Sequence, residues 1–252
     1  MSDLIGLQTE SGEGARARTW ILPAIALALT AGMLVYLRVA PLDSIEQRLL
    51  STDVLMERTM EHVWLVVVST IAVITIAVPL GVLLSRRRAR WIGVPVLAVA
   101  NAGQAIPSIG VLVLLAILFG VGFWMAVIAL TAYAVLPVLR NTMVGLGQVD
   151  RFLIEAGRGM GMSSRQVLIK IELPLAVPVM LAGIRVALIL NVGVATLATY
   201  TNAGGLGSLI ESGIVLNRMS VLMTGSVLTI ALALLVDWLA GLAERKLHPR
   251  GL

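Results

Sequence analysis

Apolar runs of about 18–25 residues recur six times along this chain, and that length matches the hydrocarbon core of a bilayer. They fall at residues 20–37, 62–84, 93–119, 123–139, 176–199 and 221–243. Lipid is therefore the solvent for most of the chain, and the expected fold class is an all-α membrane protein with about six transmembrane helices. Composition agrees: 58% of residues are hydrophobic and 13% charged, roughly half the charge of a soluble domain.

The intervals between runs orient the chain. Residues 1–19 read as a polar, mobile tail ending in Arg16 and Arg18. The first run is read as a span rather than a cleaved leader, because its exit Leu37-Arg38-Val39-Ala40-Pro41 lacks a small-x-small site. Ala24, Ala28 and Gly32 give it a seam on which another helix can approach closely or which arises from an Ala-rich composition. The mixed-charge interval 38–61 is expected to hold one short surface helix, and Pro79 to kink the second span. Arg86, Arg87, Arg88 and Arg90 form the densest positive cluster. Alternate sides carry fourteen and four Lys or Arg, with Arg185 inside a span. The positive-inside rule places the richer side in the cytoplasm, with both termini and the tail 244–252. Trp20, Trp91 and Trp238 then lie at inner ends and Trp64 and Trp124 at outer ends, where amphipathic rings favour the headgroups.

Several function classes are excluded. Cysteine is absent and only His62 and His248 exist, both at ends of apolar runs; no disulfide framework or Cys/His metal or catalytic cluster is expected. No GxxxxGK[ST] phosphate loop occurs, because Gly157-Arg158-Gly159-Met160-Gly161 lacks the Lys-Ser/Thr ending. An energised process needs another subunit to hydrolyse the nucleotide. The net charge of +5 is distributed between apolar runs and is no nucleic-acid footprint.

Residues 155–174, EAGRGMGMSSRQVLIKIELP, are the longest polar interval between late runs. Glu155 and Ala156 suit a helix, the glycines permit positive φ, and Ser163 or Ser164 can cap a second helix. That helix is expected to stop or kink at Pro174. The stretch resembles the coupling loop of ABC importer permeases, in which EAA, three residues, G, nine residues and I-x-LP follow one another. Glu155, Ala156 and Gly157 stand for EAA, Gly161 for the glycine, and Ile171, Leu173 and Pro174 for the close; Gly157 replaces the second alanine. Segments 105–108, 136–142 and 203–207 look like the osmoprotectant branch, which takes up glycine betaine, choline, carnitine or related amines; methionine-type importers are the alternative, and an ATP-independent channel or scaffold a more remote one. The resemblance covers residues 62–243, preceded by a first helix and outer segment over 20–61, with the coupling loop at 150–176. It implies the type I importer fold in a bacterial inner or cytoplasmic membrane and a loop that docks on an ABC ATPase dimer binding ATP and Mg, the chain itself binding no cofactor. It also implies a second permease chain, identical or not, an extracytoplasmic substrate-binding protein, and alternating access.

Polar residues within spans are costly and so become candidates. Asn101, Gln104 and Ser108 are placed on one helical face beside Pro107, and Asn191, Thr196 and Thr199 on the fifth span. The amides either line a polar path or bond helices together, and the threonines are read as interhelical. Arg185 is read as snorkelling to the inner face in preference to pairing with Asp237. The segment around Gly204, Gly205 and Gly207 is either a re-entrant turn or gate helix, or an ordinary outer loop. With aromatics at 4%, the chain is expected to be a weakly selective conduit.

Overall fold

The computed structural model describes residues 3–86 and 89–247, with side chains from Trp20 onward except that of Arg90. The expectations for the side chains of Arg16, Arg18, Arg87, Arg88, Arg90 and His248 lie outside the described residues. Every regular element among the described residues is helical. Five helices are long and apolar enough to cross a membrane, or six spans if one bent pair counts as one.

Helix α1 runs Asp3–Val39, so residues 3–19 of the interval read as a tail are helical and continuous with the first span; Glu10, Glu13 and Ala15 are helix formers that propagate a turn already nucleated in the apolar run. The short α2, Ser44–Leu49, starts at a capping box of Asp43 and Glu46. Helix α3, Thr52–Leu84, starts ten residues before the apolar run and passes through Pro79 without ending. His62 is therefore one of its interior residues and fully buried, not the end of a span.

The third run breaks. Helices α4, Arg90–Ala105, and α5, Ser108–Phe119, meet at 91°. Ile106 takes ψ 132°, the extended conformation that a following proline imposes. Asn101 and Gln104 are thus on a different helix from Ser108, and the expected single face does not form. Pro95, by contrast, sits inside α4 without ending it.

Helix α6, Phe123–Gln148, precedes two short helices, α7 (Arg151–Gly159) and α8 (Ser164–Val167). The chain does not stop at Pro174. A π-turn, Leu168–Glu172, leads directly into α9, Leu173–Val194, with the proline in its first turn. Proline lacks an N–H and its ring crowds the carbonyl four residues back; the wider π-turn stands where that conflict would arise. A 3₁₀ segment, Ala195–Thr201, then leads to α10, Gly207–Val215, and α11, Met219–Leu247.

Helices α3, α6 and α9 form the centre. One core layer holds Leu65, Leu130 and Val192, and a second holds Val73, Val138 and Ala187. Small residues set the approach: a methyl at Gly183 would lie 2.8 Å from the Pro137 carbonyl and 2.6 Å from Asn141 Cβ, so α6 and α9 can be this close only with glycine there. Helix α1 packs on α11, with Trp20 and Trp238 ring centroids 5.3 Å apart. Ala26 and Met33 are buried apolar residues on this side of α1. Nothing lies within 4 Å of a methyl placed at Gly32, so the seam of Ala24, Ala28 and Gly32 does not make this contact.

Candidate functional site: a polar elbow and a clamped glycine turn

The interval 150–174 folds as an elbow whose angle is fixed by local chemistry. Asp150 Oδ1 accepts from the Phe152 N–H at 2.9 Å and caps α7. The helix ends in a Schellman pair: the Met162 N–H reaches the Gly157 carbonyl at 3.1 Å, and the Gly161 N–H reaches the Arg158 carbonyl at 2.9 Å. This requires Gly161 at φ +85°, where side-chain-bearing residues are strained. Ser163 opens α8 by a capping box, its N–H donating to Gln166 Oε1 at 2.8 Å and its Oγ accepting from the Gln166 N–H at 3.3 Å.

Gly157, the departure from the resembling pattern, is buried against Ile171, whose Cδ1 would lie 2.6 Å from an added methyl. Two pattern residues fourteen positions apart thus form the inner corner of the elbow. Glu155, Ala156, Gly161 and Pro174 are exposed, and Leu173 is half-buried. The cations Arg151, Arg158, Arg165 and Lys170 are exposed around the corner. Sequence reasoning missed the apolar residues that share this surface: Phe152 is 73% exposed, Met160 71% and Ile169 51%. Their signal was available, since apolar residues in so polar an interval have no lipid to face.

The second missed feature is an ion pair. Arg86, just past α3, places Nη1 3.2 Å from Glu172 Oε1 and Nη2 2.7 Å from Oε2. Glu172 is buried and belongs to the π-turn. The fork geometry is the strong form of this contact.

Of the polar span residues, Gln104 Nε2 donates to the Tyr133 carbonyl at 2.9 Å, and Asn191 Nδ2 to Thr70 Oγ1 at 3.1 Å. Both amides bond one helix to another. Asn101 is exposed and Ser108 half-buried at the start of α5. Thr196 donates to the Gly193 carbonyl three residues back, at the end of α9, and Thr199 donates to Glu211. Arg185 corrects an expectation: its Nε and Nη2 both engage the Asp237 carboxylate, and Nη1 lies 3.5 Å from Glu244 Oε2. Asp237, Gly241 and Glu244 lie on one face of α11. A methyl at Gly241 would be 3.5 Å from Nη1, so this face provides both counter-charges and the space for the guanidinium. The pair outcompetes snorkelling.

The glycine segment is a clamped turn. Gly204 and Gly205 have φ +75° and +88°. The Gly205 N–H donates to Glu61 Oε2 at 2.8 Å, and the Leu206 N–H to His62 Nδ1 at 3.3 Å. His62 Nε2 lies 3.0 Å from the Val192 carbonyl, so its proton must sit on Nε2. A methyl at Gly204 would overlap the Glu61 carboxylate, and one at Gly207 the Thr196 carbonyl. No cluster of three or more potential metal-binding His, Cys, Asp or Glu side chains occurs among the described residues.

Comparison with known proteins places these features in context. A family described as "Binding-protein-dependent transport system inner membrane component" matches residues 77–249. The choline transport system permease protein OpuBB of Bacillus subtilis (strain 168) is 39% identical over 198 residues, covering 79% of this chain and 90% of that protein. The osmoprotectant import permease protein OsmW of Salmonella typhimurium is 38% identical over 216 residues, covering 84% and 100%. Among solved structures, an inward-facing MetNI methionine ABC transporter chain aligns with TM-score 0.70 at 26% identity, covering 82% of this chain and 99% of that one.

Proposed function

The chain belongs to the binding-protein-dependent transport system inner membrane components, and on that footing we propose that it is the membrane-spanning subunit of an ATP-driven importer of osmoprotectant quaternary amines. Glycine betaine, choline and carnitine are the expected solute class, since the relatives at 38–39% identity carry choline and osmoprotectant names. A methionine-type amino-acid importer is the second reading, favoured by the TM-score of 0.70; the closer sequence kinship argues for the first.

The observation that carries the proposal is the elbow: rigid at its corner, polar, and exposed with Phe152, Met160 and Ile169 uncovered. Glu155, Ala156, Gly157, Gly161, Ile171, Leu173 and Pro174 form the surface and corner by which a separate ATPase dimer, holding ATP and Mg, moves this chain. The charge asymmetry supports a cytoplasmic position for that face and both termini. A second permease chain completes the pathway, residues 62–243 forming the unit that alternates access. A binding protein delivers solute to the other side, where Gly204, Gly205 and Gly207 act as an outer gate. Asn101 and Ser108 are assigned to the pathway wall, and Gln104 and Asn191, bonded between helices, to the packing behind it. Aromatic cages suit quaternary ammonium, and a chain with 4% aromatics leaves selection to the binding protein.

The test is uptake of labelled glycine betaine and of methionine by the assembled complex in vesicles. Glu155→Arg and Gly161→Asp are expected to abolish uptake while leaving membrane insertion intact. Normal uptake by both variants would overturn the assignment, and methionine uptake without betaine would select the second reading.

A further inference from the structure

The Arg86–Glu172 pair and the clamp on the glycine turn are both made by residues on or next to one helix, toward its two ends. Arg86 follows the last turn of α3 and grips Glu172 in the π-turn of the elbow. Glu61 and His62, in its first third, hold the backbone of the glycine turn at Gly205 and Leu206. The separation is about 38 Å at 1.5 Å per residue. We propose that α3 is a connecting rod that ties the elbow to the glycine turn, with Arg86 and Glu172 as positioning residues for the gate. The direction of the action, from a nucleotide-driven face toward the solute side, rests on the importer reading above.

Three observations support a rod rather than two unrelated staples. Each grip is specific. The Arg86 fork meets both oxygens of a buried carboxylate. At the other end a carboxylate and an imidazole hold consecutive backbone amides, so that any shift of α3 is delivered to the main chain. The shaft is continuous: α3 runs over Thr52–Leu84 through Pro79, with Leu65, Val66, Ser69, Thr70, Val73, Ala77 and Gly81 buried along it on both sides of the proline. Close-packed contacts of this kind transmit displacement rather than absorb it. Finally, the lower grip is on the irregular part of an otherwise continuous helix, the π-turn, where hydrogen-bond register can change at least cost.

A coupled element is established only by showing that a change at one end alters the other. The experiment uses the complex co-purified with its ATPase in lipid nanodiscs, and the variants Arg86→Ala, Arg86→Lys and the swap R86E/E172R. Amide hydrogen exchange is read at peptides covering residues 204–206 and 168–172, together with ATP hydrolysed per solute imported in vesicles. Cutting the lower grip with Arg86→Ala is expected to speed exchange at Gly205 and Leu206 about fivefold or more, the low end of coupling between distant sites. It should also raise the ATP consumed per solute, and the swap should restore both. Arg86→Lys keeps the charge but loses the fork, and gives a partial effect in the same direction; it decides the matter if Arg86→Ala fails to fold.

Exchange that rises only at 168–172, or a swap that restores folding without restoring the ATP-to-solute ratio, would overturn the rod and leave a local staple. A wild-type complex without solute-dependent ATP hydrolysis would instead overturn the importer reading, and the exchange measurement would still decide whether the two ends of α3 are linked.

Discussion

Three glycines within five residues of the elbow should respond differently to the same methyl group. Gly161 has φ +85° with nothing within 4 Å of an added Cβ, so Gly161→Ala meets no clash but forces alanine into left-handed backbone. That costs about 1–2 kcal/mol, enough to raise the open population of the corner about 5- to 30-fold. Gly159 ends α7 with free space around it and no positive φ; Gly159→Ala gains helix propensity of up to about 1 kcal/mol and should close the corner further. Gly157→Ala gains the same propensity but must displace the Ile171 Cδ1 atom, 2.6 Å away. Turning that flexible end off its rotamer costs about 0.5–1.5 kcal/mol, so the two terms nearly cancel. Tryptic cleavage after Arg165, an exposed residue of α8, reads the open population when opening is fast relative to cutting. The expected order of rates is Gly161→Ala, then wild type and Gly157→Ala together, then Gly159→Ala. A Gly161→Ala chain cut no faster than Gly159→Ala would refute the argument that backbone conformation fixes this corner.

Four other substitutions, in two pairs, test packing between the helices. Arg185→Ala strands Asp237 and should lower stability by about 1–3 kcal/mol, a buried-pair cost reduced for partial exposure. Asp237→Ala leaves the arginine with Glu244 at 3.5 Å and is expected to cost less, an order that the apparent melting temperatures of the detergent-solubilised chains would reveal. Gly207→Ala drives a methyl into the backbone carbonyl of Thr196, whereas Gly193→Ala meets open space. The first should abolish the yield of folded chain at a cost above about 3 kcal/mol, and the second should leave size-exclusion profiles unchanged.

What the sequence disclosed, and what it withheld, follows the range of the interactions. The elbow was legible because its determinants are local: a serine cap at Ser163, a left-handed glycine, and the helices on either side of them. The spans were legible from their apolar length. The start of α3 was not, because Asp53, Glu57, Arg58 and Glu61 read as a surface interval, although a helix with polar residues can still be gripped by its neighbours, as Glu61 and His62 are. Pro174 was read as a stop because proline disrupts an α-helix; the π-turn before it lets the helix continue. The ion pairs Arg86–Glu172 and Arg185–Asp237 join residues 86 and 52 positions apart. Only the packing of α3, α9 and α11 brings them together; Asp237 is a candidate partner of Arg185 in the sequence, but spacing gives no ground to choose pairing over snorkelling.

The right-angle break between α4 and α5 has a consequence for solitude. At 1.5 Å per residue the halves reach about 24 Å and 18 Å, so neither crosses the roughly 30 Å of hydrocarbon alone. The carbonyls that end one half and the amides that begin the other lose their helical partners there, and Ile106 and Pro107 are exposed on this chain. Oil offers such groups nothing. A lone copy adrift among acyl chains would carry an open wound at that corner, and it heals only where water or a neighbouring polypeptide stands against it.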